Sequence, residues 1–186
     1  MVMGSASRVT PSTVREALRF AEVRAAEIIP LRHQVLRPGR PIESAHFDGD
    51  DAPGTHHFAA LSASTLSWCE SDTPIAADAV LCCLTLITSA LGGNPAWQLR
   101  GMATDPRAQR RGVGAALVAY VCAWSRDARP GWPLWCNARV SAQGFYTSAG
   151  WDVISETFDI TGIGPHVKMV FGKMTMVDPP PPGASS

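Results

Sequence analysis

The chain carries no excess charge of either sign: sixteen Lys and Arg balance sixteen Asp and Glu, and charged residues make up only 17% of its 186 positions. Non-specific attraction to nucleic acid needs a basic field, so no nucleic acid partner is expected. A long hydrophobic run is also missing. The longest, Ala79 to Ala90, falls short of the ~20 apolar residues that cross a bilayer, and no basic segment followed by an apolar stretch suggests a secretory signal. A soluble, cytoplasmic protein with no membrane partner is therefore expected. The five cysteines, Cys69, Cys82, Cys83, Cys122 and Cys136, are odd in number and have no CxxC spacing, which favours reduced core thiols over a disulfide framework. The adjacent His56 and His57 have no further Cys or acid at ligand spacing. A strand would also send their rings to opposite faces, so no metal is expected.

What remains is enough for one core. Residues 13–174 read as a single α/β domain, while 1–12 and 175–186, rich in Ser, Gly and Pro, bury too little to order themselves and read as disordered tails. Leu18, Phe20 and Val23 suggest a first strand, and Ala25 to Leu36 a helix interrupted by Pro30. Arg37-Pro38-Gly39-Arg40-Pro41 stops it, and a long polar loop to Thr55 follows, with Asp48, Asp50 and Asp51 close together. Those acids could draw a cationic amine or simply solvate a turn, and the Arg37 to Arg40 cluster could meet an acidic substrate group or cover the surface. His57 to Leu61 fits a strand, and Thr65 to Ala77 a strand remnant or a turn. Ala79 to Thr88 is dense in Val, Leu, Ile, Cys and Thr, as in a central strand covered on both faces. Gly92-Gly93-Asn94-Pro95 turns the chain into a hairpin partner, Ala96 to Ala103.

Val113, Leu117, Tyr120, Val121 and Trp124 recur at three- and four-residue spacing and share one helical face. Pro133 to Asn137 then fits a strand that returns parallel to the earlier one through a right-handed crossover. Ser141 is positioned to cap a short helix carrying Ala142, Phe145, Tyr146 and Ala149, with Gly150 ending it. Trp151 to Ile160 and His166 to Phe171 close the domain as an antiparallel pair around Thr161 to Pro165. The sum is a mixed α/β sheet.

Between the hairpin and the long helix lies Gln109-Arg110-Arg111-Gly112-Val113-Gly114. Glycines there let the backbone approach a ligand, and the unpaired amides of a helix's first turn suit an anion; glycines at a helix start also serve plain turns. A P-loop would place Lys and Ser or Thr after the last glycine, where Ala115 and Ala116 stand. A dinucleotide fingerprint needs a third glycine where Leu117 stands and an acid on the next strand, and Pro133 to Asn137 has none. A short pyrophosphate nest remains, with Arg107, Arg110 and Arg111 adding charge near the helix start.

Met102-Ala103-Thr104-Asp105-Pro106 leading into Gln109-x-x-Gly112-x-Gly114 resembles the acetyl-CoA motif of the GNAT superfamily of N-acetyltransferases. Asn137, Ala142, Phe145-Tyr146 and Gly150-Trp151 are similar to its second cofactor motif, and Arg32 to Pro41 and Gly162 to His166 look like segments of an uncharacterised bacterial branch. One departure stands out: Ser62 to Asp78 is longer and less strand-like than the family's usual hairpin. The resemblance implies a mostly antiparallel sheet flanked by helices, with a central parallel strand pair splayed at the cofactor site.

It further implies acetyl-CoA as co-substrate, its pyrophosphate on the amides from Arg110 through Arg111, Gly112, Val113 and Gly114 to Ala115. Gln109 belongs to the same motif. The pantetheine arm would run along Met102, Ala103 and Thr104, with Asn137 touching it, an amide near Ala103 serving the oxyanion and the Tyr146 hydroxyl protonating the CoA sulfur. His166, where the substrate cleft of such enzymes closes, is the candidate proton relay; His33, His46, His56 and His57 have weaker claims. The implied activity is direct acetyl transfer to a primary amine, on a small molecule or a peptide, in a ternary complex. Alternatives are a sensor that binds acyl-CoA without turnover, or a transferase using a different acyl group. Many such proteins are homodimers.

Overall fold

Alternation along two central strands decides how the layers stack. A computed structural model describes residues 15–67 and 73–172; the expected tails at 1–12 and 175–186, and Cys69, lie outside the described residues. Strands β1 (Leu18–Val23), β2 (His56–Ser62), β3 (Val80–Leu91), β4 (Asn94–Thr104), β5 (Leu134–Arg139), β6 (Trp151–Val153), β7 (Phe158–Ile160) and β8 (Gly164–Phe171) form one sheet. Its order is β1-β2-β3-β4-β5-β8-β6, with β7 also on β8. Helices α1 (Ala25–Leu36), α2 (Val113–Ala128) and α3 (Gln143–Ser148) complete the fold. Successive strand residues face opposite sides. Phe58, Ala60, Cys82, Leu84 and Leu86 share a core with Val113, Leu117 and Val121 of α2, whereas Ala59, Leu61 and Cys83 share one with Ile28 and Leu31 of α1. A fully buried Leu or Phe contributes about 1.5–3 kcal/mol, so the two-sided apolar run of β3 fixes it at the centre.

Several sequence expectations need correction. The helix is not interrupted at Pro30; α1 runs through it. Its ring is exposed while Ile28, Ile29, Leu31 and Arg32 are buried, so tertiary packing outweighs the ~3 kcal/mol that an interior proline costs. The long loop after α1 is not free coil: it contains a 3₁₀ turn at Ile42–Ala45 and is pinned by Asp50. Of the segment from Thr65 to Ala77, the described part makes one antiparallel bridge, Leu66 to Ile75. The Gly92-Gly93 turn is tighter than expected, because Leu91 already pairs with Asn94. Ser141 does not cap the short helix: it lies within a 3₁₀ turn, Val140–Ala142, and Ala142 is the N-cap of α3, with no side-chain cap bond. Gly150 does end that helix, with φ +82°. The expected strand from Trp151 to Ile160 is two strands, β6 and β7, on one edge of β8. At the break, the Lys168 amide donates to Ser155 Oγ at 2.8 Å, so a side chain substitutes for the ladder.

The parallel pair is short, and that positions the site. β4 and β5 pair only at Trp97 with Leu134, Gln98 with Trp135 and Leu99 with Cys136. Beyond that point β4 bulges: Gly101 and Met102 together oppose Leu84, since Arg100 pairs with Thr85 and Ala103 with Cys83. A bulge adds local twist, and here it carries the end of β4 away from β5. Gly101 has φ +61°, and a Cβ there would lie 3.1 Å from both Arg32 Nε and Phe47 Cε2, so the bulge requires glycine for conformation and for space.

Candidate active site

The loop from Gln109 to Gly114 joins the free end of β4 to α2. Gln109 Nε2 donates to the Thr104 carbonyl at 3.3 Å, tethering the loop to the strand. Arg110 and Gly112 are both left-handed, with φ +57° and +81°, and alternating handedness in consecutive residues turns amides inward as a nest. Gly112 is the N-cap of α2 and no side chain caps it, so the first-turn amides from Val113 onward are open to an anion. The two glycines serve different needs. A Cβ at Gly112 would meet nothing within 4 Å, whereas one at Gly114 would meet Met102 Cε at 3.0 Å and Thr104 Oγ1 at 3.4 Å. One supplies a backbone conformation, the other lets the helix approach β4. Of the arginines expected to add charge here, Arg107 is bound by Asp105 through Nε at 3.1 Å and Nη2 at 2.7 Å. Burial pushes the Asp105 carboxyl up, but its hydrogen bonds and ion pair with Arg107 outweigh that and hold it below its usual range.

Asp105 N donates to the Leu81 carbonyl. Two residues back on an antiparallel ladder the amide again faces the neighbour, so Ala103 turns its backbone to β3, and its side chain packs with Ile28 and Leu31. Met102 and Thr104 are left facing the splay. Sequence reasoning placed the oxyanion amide near Ala103; the ladder puts the open edge one residue to either side.

Between the splayed strands is a cleft of about 240 Å³, lined from β4 by Leu99 to Met102, from β5 by Asn137 to Arg139, and by Tyr146, His166, Arg37 and Phe47. Tyr146 is 6% exposed, and its hydroxyl reaches Met102 Sδ at 3.5 Å. Burial, reinforced by the neighbouring Cys136, Cys82 and Cys122, pushes its ionisation well above the usual range, so it is a phenol, able to donate a proton, at neutral pH. Asn137 Oδ1 is buried without a hydrogen-bond donor. His166 Nδ1 lies 2.7 Å from the Gly164 carbonyl; a carbonyl only accepts, so Nδ1 carries the hydrogen and Nε2 is left to take a proton. Tyr146, Asn137 and His166 are thus brought together, with the nest at the other end of Met102 to Thr104.

Three of the other histidines take structural positions. His56 packs against Trp124 and bonds Glu22 at 2.6 Å, while His57, on the opposite face, bonds Thr85 and the Asp50 carbonyl. His33 bonds the Arg40 carbonyl, and His46 is an exposed residue in the loop after the 3₁₀ turn. Among the described residues, no group of three His, Cys, Asp or Glu could hold a metal.

Asp50 is neither a solvated turn residue nor an open acid. Its side chain is 3% exposed and pairs with Arg32 at 2.5 Å and Arg100 at 3.0 Å. Burial pushes its carboxyl up, but the Phe47 amide and the two guanidinium groups outweigh this and hold it low. Arg32, fully buried, also donates to the Ala45 carbonyl and Thr85 Oγ1. Sequence reasoning missed Arg32, Phe47, Arg100 and Arg139. Only Arg32 left a signal, four residues after the buried Ile28 on the core face of α1.

A model of the acetyltransferase (GNAT) domain matches residues 86–172. The "uncharacterized N-acetyltransferase YitI" of Bacillus subtilis is 32% identical over 153 residues, covering 82% of this chain and 94% of that protein. The chain belongs to the GNAT acetyltransferase family. Solved structures agree on the fold. An aminoglycoside 6'-N-acetyltransferase in complex with coenzyme A matches with a TM-score of 0.56 at 12% identity, over 82% of this chain and 95% of that one. A chimera of the spermidine N-acetyltransferase SpeG from Vibrio cholerae and hSSAT matches with a TM-score of 0.60 at 12% identity, over 83% and 95%. Sequence and structure thus agree on a mixed, mostly antiparallel GNAT sheet with one parallel pair. Among the described residues no helix is long and apolar enough to cross a membrane.

Proposed function

We propose that this GNAT protein transfers the acetyl group of acetyl-CoA directly to a primary amine, with both substrates bound at once. The observation that carries the reading is the position of Tyr146, a buried phenol at the splay of β4 and β5, beside the open edge Met102 to Thr104 that leads to the uncapped start of α2. In this reading the pyrophosphate rests on amides between Arg110 and Ala115, and the arm lies against β4 like an added strand. The unpartnered Asn137 Oδ1 accepts from one of the arm's amides.

The neutral amine nitrogen attacks the thioester carbonyl, and amides on the open edge of β4 receive the developing oxyanion. As the C–S bond breaks, the Tyr146 hydroxyl gives its proton to the departing thiolate. The amine's surplus proton passes to His166 Nε2, directly or through water. Among the described residues no cysteine suits an acetyl-cysteine intermediate, which favours direct transfer: Cys82, Cys83, Cys122 and Cys136 are buried, which pushes each thiol up to about 12. Thiols so held are not nucleophilic near neutral pH. Family relatives named for aminoglycoside and for spermidine support an amine as acceptor.

The test is CoA release from acetyl-CoA across an amine panel, with wild type and Tyr146→Phe. Release that requires an amine, and drops in Tyr146→Phe while acetyl-CoA still binds, supports the reading. Tight acetyl-CoA binding with no amine-dependent release would make the protein a sensor, and a marked preference for a longer acyl-CoA would change the donor.

A further inference from the structure

Among the described residues, the acceptor end of the cleft is walled by arginine and lined by no acid. The guanidinium carbons of Arg32, Arg37 and Arg100 lie 4.4, 5.1 and 5.9 Å from the centre of the Phe47 ring. Arg139 lines the same cleft from β5. Burial, then the charges of Arg40, Arg139 and Arg32, holds the Arg37 guanidinium below its usual range. Among the described residues, one carboxylate, Asp50, pairs with this group of arginines, and both its oxygens are engaged. Oδ2 accepts from Arg32 and the Phe47 amide, and Oδ1 from Arg100.

Arg37 and Arg139 therefore form no ion pair among the described residues. Arg37 uses Nε and Nη1 on the Ser44 and Leu36 carbonyls, bonds that hold the side chain in place without neutralising it. Arg100 Nε is buried with no acceptor. Arg32, Arg37 and Arg100, gathered around the half-buried Phe47 ring, repel one another, and Arg32 is held out of water altogether, while Arg139 reaches the same cleft from the exposed end of β5. The arrangement is stabilised when an anion enters. Arginine's planar fork suits a carboxylate or phosphate in particular.

Resting on the acetyltransferase reading above, we propose that the acceptor is a primary amine that also carries an anionic group, a carboxylate or a phosphate, bound by Arg37 and Arg139. The anion anchors the molecule on the arginine wall while its amine faces the thioester beside Tyr146 and His166. Polyamines are rejected by the same wall, because a second ammonium would have to sit among the arginines. The acid-rich loop, which in sequence could draw a cationic amine or simply solvate a turn, does neither at Asp50: that carboxylate holds Arg32 and Arg100 beside the anion site.

The test uses the full-length protein with acetyl-CoA and matched acceptors: a panel of α- and ω-amino acids each against its own carboxamide, 2-aminoethyl phosphate against ethanolamine, and spermidine. The best acid should exceed its carboxamide in kcat/KM by about 10-fold or more, as a charge-assisted pair allows; preference for the phosphate over the acids identifies a phosphate-bearing substrate. Arg37→Gln and Arg139→Gln should each reduce kcat/KM for the anionic amine about 10-fold, mainly through KM. They should leave the KM for acetyl-CoA nearly unchanged and raise the KM for the anionic amine several-fold more than that for its uncharged partner. Arg139→Glu should shift preference toward spermidine. Equal or better turnover of carboxamides or spermidine by wild type, or a rise in KM for acetyl-CoA in the arginine variants, would overturn the proposal. If no amine is acetylated, the acetyltransferase reading fails, and calorimetry with the same acids and 2-aminoethyl phosphate decides the anion site by itself. Binding lost in Arg37→Gln upholds it, and no binding of any of them by wild type overturns it.

Discussion

The two ends of the cleft are made from different materials. At the donor end most of the groups proposed to hold acetyl-CoA are main-chain amides in one continuous stretch from Met102 to Ala115, joined by the Asn137 and Tyr146 side chains, and the stretch itself depends on glycines and a tethering Gln109. At the proposed acceptor end the groups are side chains, Arg37, Phe47, Arg100, Arg139 and His166, drawn from separate elements, and the buried Asp50 carboxylate holds Arg100 and the Phe47 amide directly. Backbone recognition needs particular backbone conformations, and these leave a local sequence trace. Side-chain recognition assembled by tertiary folding leaves almost none.

Breaking the acceptor end at its support should have the largest effect. Asp50→Ala leaves Arg32 buried without its counter-charge, a change that typically costs about 3–5 kcal/mol. Urea denaturation should show it, and replacing Arg32 by Met in the same chain should recover part of the loss. Tyr146→Phe is expected to lower turnover about 100-fold, as loss of a general acid does, while acetyl-CoA affinity measured by calorimetry stays nearly constant.

At the donor end the two glycines separate. Gly112→Ala forces an L-residue to φ +81°, at about 1–2 kcal/mol, and should weaken CoA binding about 10-fold. Gly114→Ala meets the flexible tip of Met102 and should weaken it less. Equal effects would mean that the loop does not work as a conformational nest.

Two depressed carboxyls predict the acid limit of the fold. Asp50 and Asp105 titrate below the usual range, so each favours the folded state above the unfolded value of ~3.9. That contribution fades as pH falls through the lower folded value. Stability should therefore be level near neutral pH and drop below about pH 4, and Asp105→Asn should flatten that drop. Smallest of all, Arg19→Gln breaks an exposed pair with Asp78 and should change stability by about 0.5 kcal/mol or less.

The sequence made much of the fold legible. The apolar density of β3, the helical spacing from Val113 to Trp124 and the turn glycines marked the main elements, because each reflects a local period or a required φ. The broken strand at Ser155, the continuity of α1 through Pro30 and the bulge at Gly101 were not legible. Each is decided by a partner distant in sequence: Lys168 for Ser155, the α1-side core for Pro30, Arg32 and Phe47 for Gly101. The same holds for Asp50, which reads as a turn residue until Arg32 and Arg100 are placed on either side of it.

In the proposed site a main-chain nest and a strand splay together hold CoA, and calorimetric titration with CoA and with pantetheine separates their parts. CoA should bind, and pantetheine, which lacks the pyrophosphate and the nucleotide, should bind at least about 100-fold more weakly, a difference of ~2.7 kcal/mol. Equal affinities, or no binding of CoA, would contradict this arrangement.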